Sequence, residues 1–217
     1  MSSPAPSVLV MAGAPSARPA APLDAWLGAD RAARLQAVLL RRAAGWAARA
    51  APRAAFVAVE PAHAAAEVAR MLPPGVDSFA QAAGSHADRV AAAVRRVMAN
   101  TGGPVLIVGT SLPALGDYHA QAAALDLRDG CDVVLGVSIG GGLYLLGVHS
   151  PQPHLFALLG TGNDGETTRR HARRVTADLG LELGMLHYER ALATPQDARA
   201  MLADPLLPPD VADALRE

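Results

Sequence analysis

Three consecutive glycines, Gly140, Gly141 and Gly142, stand between the apolar runs of VSIGGGLYLLG, residues 137–147. A backbone this bare lets a ligand or another chain segment approach where a Cβ would hold it off; it also serves as a tight bend between strands. Ser111 follows the apolar run VLIVGT (105–110) and offers a hydroxyl at a strand end, suited to a phosphate, to a sugar hydroxyl or to turn formation. No G-x-S-x-G elbow surrounds it, so a nucleophilic role is not expected. Charge is densest in NDGETTRRHARR, residues 163–174. Asp164 and Glu166 are candidate metal ligands there, but a helix cap and a first-turn acid account for the same residue types. Arg169, Arg170, Arg173, Arg174 and His171 form a basic i, i+4 face, either for phosphates and acidic partners or for solvent. The seven histidines show no H-x-x-x-H or similar spacing, so zinc is not expected.

These groups need a framework, and the chain supplies enough apolar material for one. Its 217 residues are 51% hydrophobic and 18% charged, the size of a single α/β domain with a full core. All 19 cations are arginine, which removes the tunable ammonium of lysine from phosphate or Schiff-base chemistry. With a formal charge of −1, no overall basic field points to nucleic acid. The single Cys131 excludes an internal disulfide. SVLVM (7–11) is too short and lacks the basic leader of a signal peptide, and no apolar run reaches membrane-span length, so a cytoplasmic protein is expected.

Short β-rich runs alternate with helical patterns, the mark of βαβ units around a mostly parallel sheet. Strands are expected at 7–11, 54–59, 105–108, 132–137, 143–148 and 183–188, and helices at 30–50, 62–71, 86–100, 117–126, 165–179, 195–203 and 208–216. Asp30, Asp164 or Thr161, and Thr194 ahead of Pro195 read as helix caps. The expected fold is a three-layer α/β/α domain over residues 1–217 with a mainly parallel mixed sheet. In such sheets ligands sit beyond the carboxyl ends of the strands. That places Gly13 and Arg18 of the first loop, and Gln81 and Arg89 around a helix start, among the candidate contacts. Trp26, Trp46, Tyr118 and Tyr188 are either ring-stacking groups or core and interface residues.

Six segments in this order carry a resemblance: VLVMAGAP (8–15), LGADRAARLQAVLLRRA (27–43), QAAGSHADRV (81–90), PVLIVGTSLPAL (104–115), DVVLGVSIGGGLYLLGV (132–148) and ATPQDARAML (193–202). The chain resembles the bacterial glycosyltransferase A-like proteins. They form a branch of the GT-A nucleotide-diphospho-sugar transferase superfamily related to nucleotidyltransferases such as phospholactate guanylyltransferase. The resemblance implies corresponding patterns of roughly K-A-P, K-T-R-L, G-T-D-S-P-D-L, E-D-G-G-Y-Y-L-L-G and D-V-D-T-P-E-D-L. In these, cations of the first loop meet phosphates, and carboxylates hold Mg²⁺ or Mn²⁺.

This chain keeps the framework of those patterns and departs at their charged positions. Gly13 stands for the first lysine, Arg18 alone for the K-T-R group, Ser111 for the metal-binding aspartate after G-T, Gly140 for the acid before the paired glycines, and Ala191 and Ala193 for the late D-x-D. Gly109, Thr110, Pro113, Gly141, Gly142, Tyr144, Thr194, Pro195 and Asp197 persist. The expectation is a GT-A-like protein with an eroded metal site and no metal cofactor, binding a nucleotide, sugar nucleotide or partner through Gly13, Arg18, Gln81, Arg89, Thr110, Ser111 and Gly140 to Gly142. The alternatives are a glycosyl- or nucleotidyltransferase that works without metal and a structural subunit. Ala- and Leu-rich faces would suit a homodimer.

Overall fold

The computed structural model describes residues 4–16, 22–159 and 164–216. Seven strands form one mixed sheet: β1 (Ser7–Gly13), β2 (Ala55–Glu60), β3 (Val76–Ala80), β4 (Val105–Val108), β5 (Val133–Val137), β6 (Leu143–Val148) and β7 (Leu183–Met185). Their order is β3-β2-β1-β4-β6-β5-β7. β6 runs antiparallel to both β4 and β5, while the remaining neighbours are parallel. The central strands are continuous apolar runs, VLIV in β4 and LYLLGV in β6, because both faces of the sheet are covered.

Nine α-helices are described: α1 (Pro22–Leu27), α2 (Ala29–Ala50), α3 (Ala65–Ala69), α4 (His86–Thr101), α5 (Asp117–Arg128), α6 (Pro153–Phe156), α7 (Gly165–Asp178), α8 (Pro195–Leu202) and α9 (Pro209–Arg216). The two-residue alternation of β1 divides the core. Val8 and Val10 pack with Leu40 and Trp46 of α2 and Ala123 of α5, whereas Leu9 packs with Val90 and Val94 of α4 and Phe156 of α6. A third cluster joins Leu23, Leu35 and Leu39 to Met201 and Leu215, so α1, α2, α8 and α9 form a lobe of their own. Trp46 belongs to the core, and its indole N–H donates to Gly116 O at 2.9 Å.

The α/β three-layer expectation holds, with local corrections. Edge strand β3 was not expected: its VDSFA buries only Phe79, and Asp77 and Ser78 interrupt the apolar signal. The helix expected over 62–71 is a 3-10 turn at 62–64 followed by the single turn of α3. β7 stops at Met185, and the short α1 and α6 had no sequence signal long enough to register. Asp30 lies in the first turn of α2 rather than capping it; Gly28 is at the cap, with φ 80°. Asp164 and Thr194 do cap α7 and α8 through Thr167 N and Asp197 N.

A register shift falls between Gly136 and Val137 on β5. The Tyr144 ring of β6 lies over Gly136 so closely that an added Cβ would sit 2.4 Å from its Cζ. The Tyr144 hydroxyl donates to His187 O at 2.8 Å, tying the chain after β7 to the sheet. Gly136→Ala is therefore expected to destabilise the fold by about 1–3 kcal/mol through overpacking, read as a lowered urea midpoint. An unchanged midpoint would show that the ring relaxes at no cost.

Candidate functional site

The antiparallel insertion of β6 puts the β5–β6 turn at the same end of the sheet as the carboxyl ends of β1 and β4. Gly141 and Gly142 have φ of 100° and 73°, which residues with a side chain rarely adopt, so the turn depends on glycine there. Gly140 carries no such constraint, and an added Cβ would meet nothing within 4 Å. Ser138 N donates to Gly142 O at 3.0 Å and closes the turn, and Thr168 Oγ1 of α7 accepts from Gly142 N at 3.2 Å.

A cleft of about 680 Å³ opens at this end, a size that accommodates drug-sized molecules. Thr110, Ser111, Gly140, Gly141 and Gly142 line it, together with Ser138 and with Ala191 and Ala193 of the chain after β7. That chain is held in place by Leu192 N donating to Ser111 O (2.7 Å) and Ala191 N donating to Ser138 Oγ (3.3 Å). Across the cleft, Gln36 of α2 donates from Nε2 to Gly13 O (3.1 Å) and Thr110 Oγ1 (3.2 Å), fastening the helix to the ends of β1 and β4.

Three nominated residues stand outside the lining. Gly13 ends β1, and its carbonyl is taken by Gln36. Gln81 donates to Ala58 O at 2.9 Å and Ala12 O at 3.3 Å and accepts from Arg89 Nε at 3.0 Å. Arg89 pairs with Glu60 at 2.9 Å and donates to Gly84 O at 3.0 Å. Gln81 and Arg89 thus form a strut across the ends of β1, β2 and β3. Arg18 and Thr161 lie outside the described residues.

Away from the cleft, Glu166 forms an ion pair with Arg169 at 2.7 Å, and Asp164 accepts from Thr167 N and Oγ1. These bonds hold both carboxyls below their usual range. Arg170, His171, Arg173 and Arg174 are exposed. Among the described residues, no three His, Cys, Asp or Glu side chains are grouped so as to hold a metal ion.

Sequence reasoning missed one wall of the cleft. Leu23 and Asp24 of α1, Leu35, Gln36 and Leu39 of α2, and His86 of α4 all line it. The i, i+4 leucines of α2 read as a core stripe, and that pattern does not separate a cleft wall from an interior. Behind the cleft a polar cluster anchors residue 189. Gly116 N–H donates to His119 Nδ1 at 2.9 Å, which leaves the ring proton on Nε2 to donate to Glu189 Oε1 at 3.2 Å. Tyr118 also donates to Glu189. Burial first, and then the Glu189 contact, push the Tyr118 hydroxyl's pKa up.

Comparisons with known proteins agree with the architecture. The model of a family described as "Uncharacterized protein conserved in bacteria (DUF2064)" matches residues 40–162. No curated protein matches the chain. A candidate nucleotide-diphospho-sugar transferase from Desulfovibrio desulfuricans G20 superposes with TM-score 0.75 at 19% identity, covering 97% of this chain and 93% of that one. A homologue of Rv0371c from Mycobacterium sp. strain JC1 gives 0.51 at 15% identity, covering 96% and 97%. Rv0371c of Mycobacterium tuberculosis H37Rv gives 0.51 at 13%, covering 91% and 97%. At these identities the likeness is one of fold: the chain has the nucleotide-diphospho-sugar transferase-like fold. Among the described residues, no helix is long and apolar enough to cross a membrane.

His86, in the first turn of α4, gives the cleft a pH signature. Partial desolvation of this otherwise exposed residue and, second, the Arg89 guanidinium lower its pKa, against an opposing pull from Glu60. The unfolded chain, with its imidazole near 6.5, then binds the proton more tightly than the folded one, so stability is full above that pH and is lost as pH falls through it. His86→Gln is expected to lose less stability than the parent between pH 8 and pH 5 in urea unfolding. Equal losses would contradict this assignment.

Proposed function

The chain belongs to DUF2064, a family of uncharacterized proteins conserved in bacteria, and from that premise we propose that it is a pseudoenzyme that binds a nucleotide or sugar nucleotide in the cleft without metal-assisted transfer. The observation that carries this reading is the pairing of Ser111 with Gly140. Both line the cleft, one at the β4 end and one on the turn, where the resembling family carries acids. Asp24 is the one carboxylate residue among the described lining. Mg²⁺ bound at a transferase site takes one or two carboxylates together with substrate phosphates and keeps several waters. The hydroxyls of Thr110, Ser111 and Ser138 are neutral donors, and this set does not suit Mg²⁺ or Mn²⁺. No transfer step through a metal is therefore assigned. What the residues supply is a docking floor: hydroxyls at the strand ends, an open turn at Gly140, and a wall fixed by Gln36.

Thermal shift with nucleoside triphosphates and sugar nucleotides, each with and without Mg²⁺ or Mn²⁺, tests the reading. Stabilisation that follows ligand concentration by mass action and ignores the metal is expected, about 2.7 kcal/mol at a hundredfold excess over Kd. Metal-dependent stabilisation of the parent would overturn the reading, and silence toward every nucleotide would favour a structural role. The double variant Ser111→Asp/Gly140→Asp is expected to gain a Mn²⁺-dependent shift that the parent lacks. An added Cβ at position 140 meets nothing within 4 Å.

A further inference from the structure

A second, smaller opening lies along α2, and no described residue lines both it and the cleft. Three arginines of α2, Arg41, Arg42 and Arg49, line a pocket of about 150 Å³ that Leu112 and Pro113 of the β4–α5 loop wall on the other side. Arg42 Nη1 pairs with Asp210 at 3.0 Å, and its Nε donates to Pro113 O at 3.2 Å. Arg49 Nε stands 3.6 Å from Asp117, and its Nη1 donates to Gly45 O at 3.1 Å. Neither aspartate lines the pocket. The exposed Arg41 side chain has no ion pair or hydrogen bond among the described residues. Each guanidinium carries five N–H donors and a permanent charge, so all three retain donors to spare. Gly45 also lines the pocket, four residues from Arg41 and four from Arg49 on one face of the helix. Glycine costs a helix interior stability relative to the alanines around it. Packing does not demand it: among the described residues, the one neighbour an added Cβ would meet within 4 Å beyond its own turn of backbone is Arg49 Nη1, at an ordinary 3.8 Å. What the bare position leaves is room among three positive charges.

We propose that this pocket binds a small tetrahedral oxyanion, phosphate or the terminal phosphate of a monoester, seated over Gly45 between Arg41, Arg42 and Arg49. Guanidinium groups meet phosphate oxygens through paired, charge-assisted N–H donors, which are shorter and stronger than neutral hydrogen bonds. Asp117 and Asp210 answer two of the three positive charges, and the third has no ion pair among the described residues. The pair of Arg49 and Asp117, with side chains 60% and 62% exposed, is a weak competitor for its guanidinium. Size sets the class of ligand. Pockets for drug-sized molecules run to about 300–1,000 Å³, whereas about 150 Å³ admits the ion and not a nucleotide. The inference is independent of what the cleft binds.

Titration calorimetry with sodium phosphate, at an ionic strength held constant with NaCl, tests it, and saturable binding by the parent is expected. Arg41→Gln is expected to weaken that binding about tenfold, the loss of one charge-assisted contact. Gly45→Leu fills the floor of the pocket and is expected to weaken it by about tenfold or more. Its thermal midpoint in phosphate-free buffer is expected to stay at or above the parent's, because leucine is the better helix former. Arg34→Gln, which removes an exposed charge from the same helix outside the pocket, is expected to change nothing. Ser111→Asp/Gly140→Asp, which puts two negative charges in the cleft, is expected to leave phosphate binding intact. No saturable heat, equal affinity in the parent and Arg41→Gln, or loss of binding in the cleft double variant overturns the inference. An equal loss in Arg34→Gln overturns it too, since the response is then to net charge alone. Should Gly45→Leu fail to fold, Arg41→Gln decides. Tighter binding of glycerol 1-phosphate than of phosphate assigns the site to a monoester, and equal or weaker binding assigns it to the free ion; both keep the site. The nucleotide response of the cleft is read separately by thermal shift, so either reading can fall alone.

Discussion

One antiparallel strand decides where everything else can be. Because β6 runs against both β4 and β5, the last two point the same way, and the turn joining β5 to β6 must fall beside the carboxyl end of β4. In a parallel sheet that end is already the one where loops diverge and leave a crevice. The inversion adds a glycine turn to the crevice, at the cost of a left-handed backbone at Gly141 and Gly142 that residues with a side chain rarely adopt. Ser111 and the chain after β7 then close the other side through the bond from Leu192 N.

The polar groups divide by what surrounds them. Several of those away from the cleft are held by neighbours: Arg89 by Glu60, Gln81 and Gly84, Arg190 by Asp197, and Glu189 by His119 and Tyr118. Such networks specify one arrangement, since removing a member leaves the others buried or half-buried without partners. The Glu189 network holds the chain that runs from β7 past Ser138 to the cleft, so this wall is tied down by groups that do not line it.

Much of this was legible in the sequence, and the misses share a cause. Strands buried on both faces are apolar throughout and declare themselves, as do Thr194-Pro195 and the triple glycine. β3 did not, because an edge strand buries one side chain in five and reads as a polar loop. That Thr110, Ser111 and Gly140 to Gly142 fall at this end of the sheet was legible because their place in the chain order fixes their place in the sheet. Gln81 and Arg89 lie at the same end of the sheet, yet their side chains are drawn into a strut, which no one-dimensional pattern reveals. The leucines of α2 and α1 escaped for the opposite reason: an amphipathic stripe is the same whether it faces a filled interior or an empty one.

The register shift between Gly136 and Val137 reaches further than the distortion of one hairpin. Side chains along a strand alternate between the two faces of a sheet, and an irregularity of this kind resets the count from that residue onward. Beyond it comes Ser138, whose hydroxyl lies at the cleft and receives the Ala191 amide. Delete one residue before it and the parity reverses: the branched side chain of Ile139 would take the hydroxyl's place, and the Ala191 amide would lose its acceptor. The chemistry of the opening is thus a matter of phase, set by where a single strand falls out of step with its neighbour.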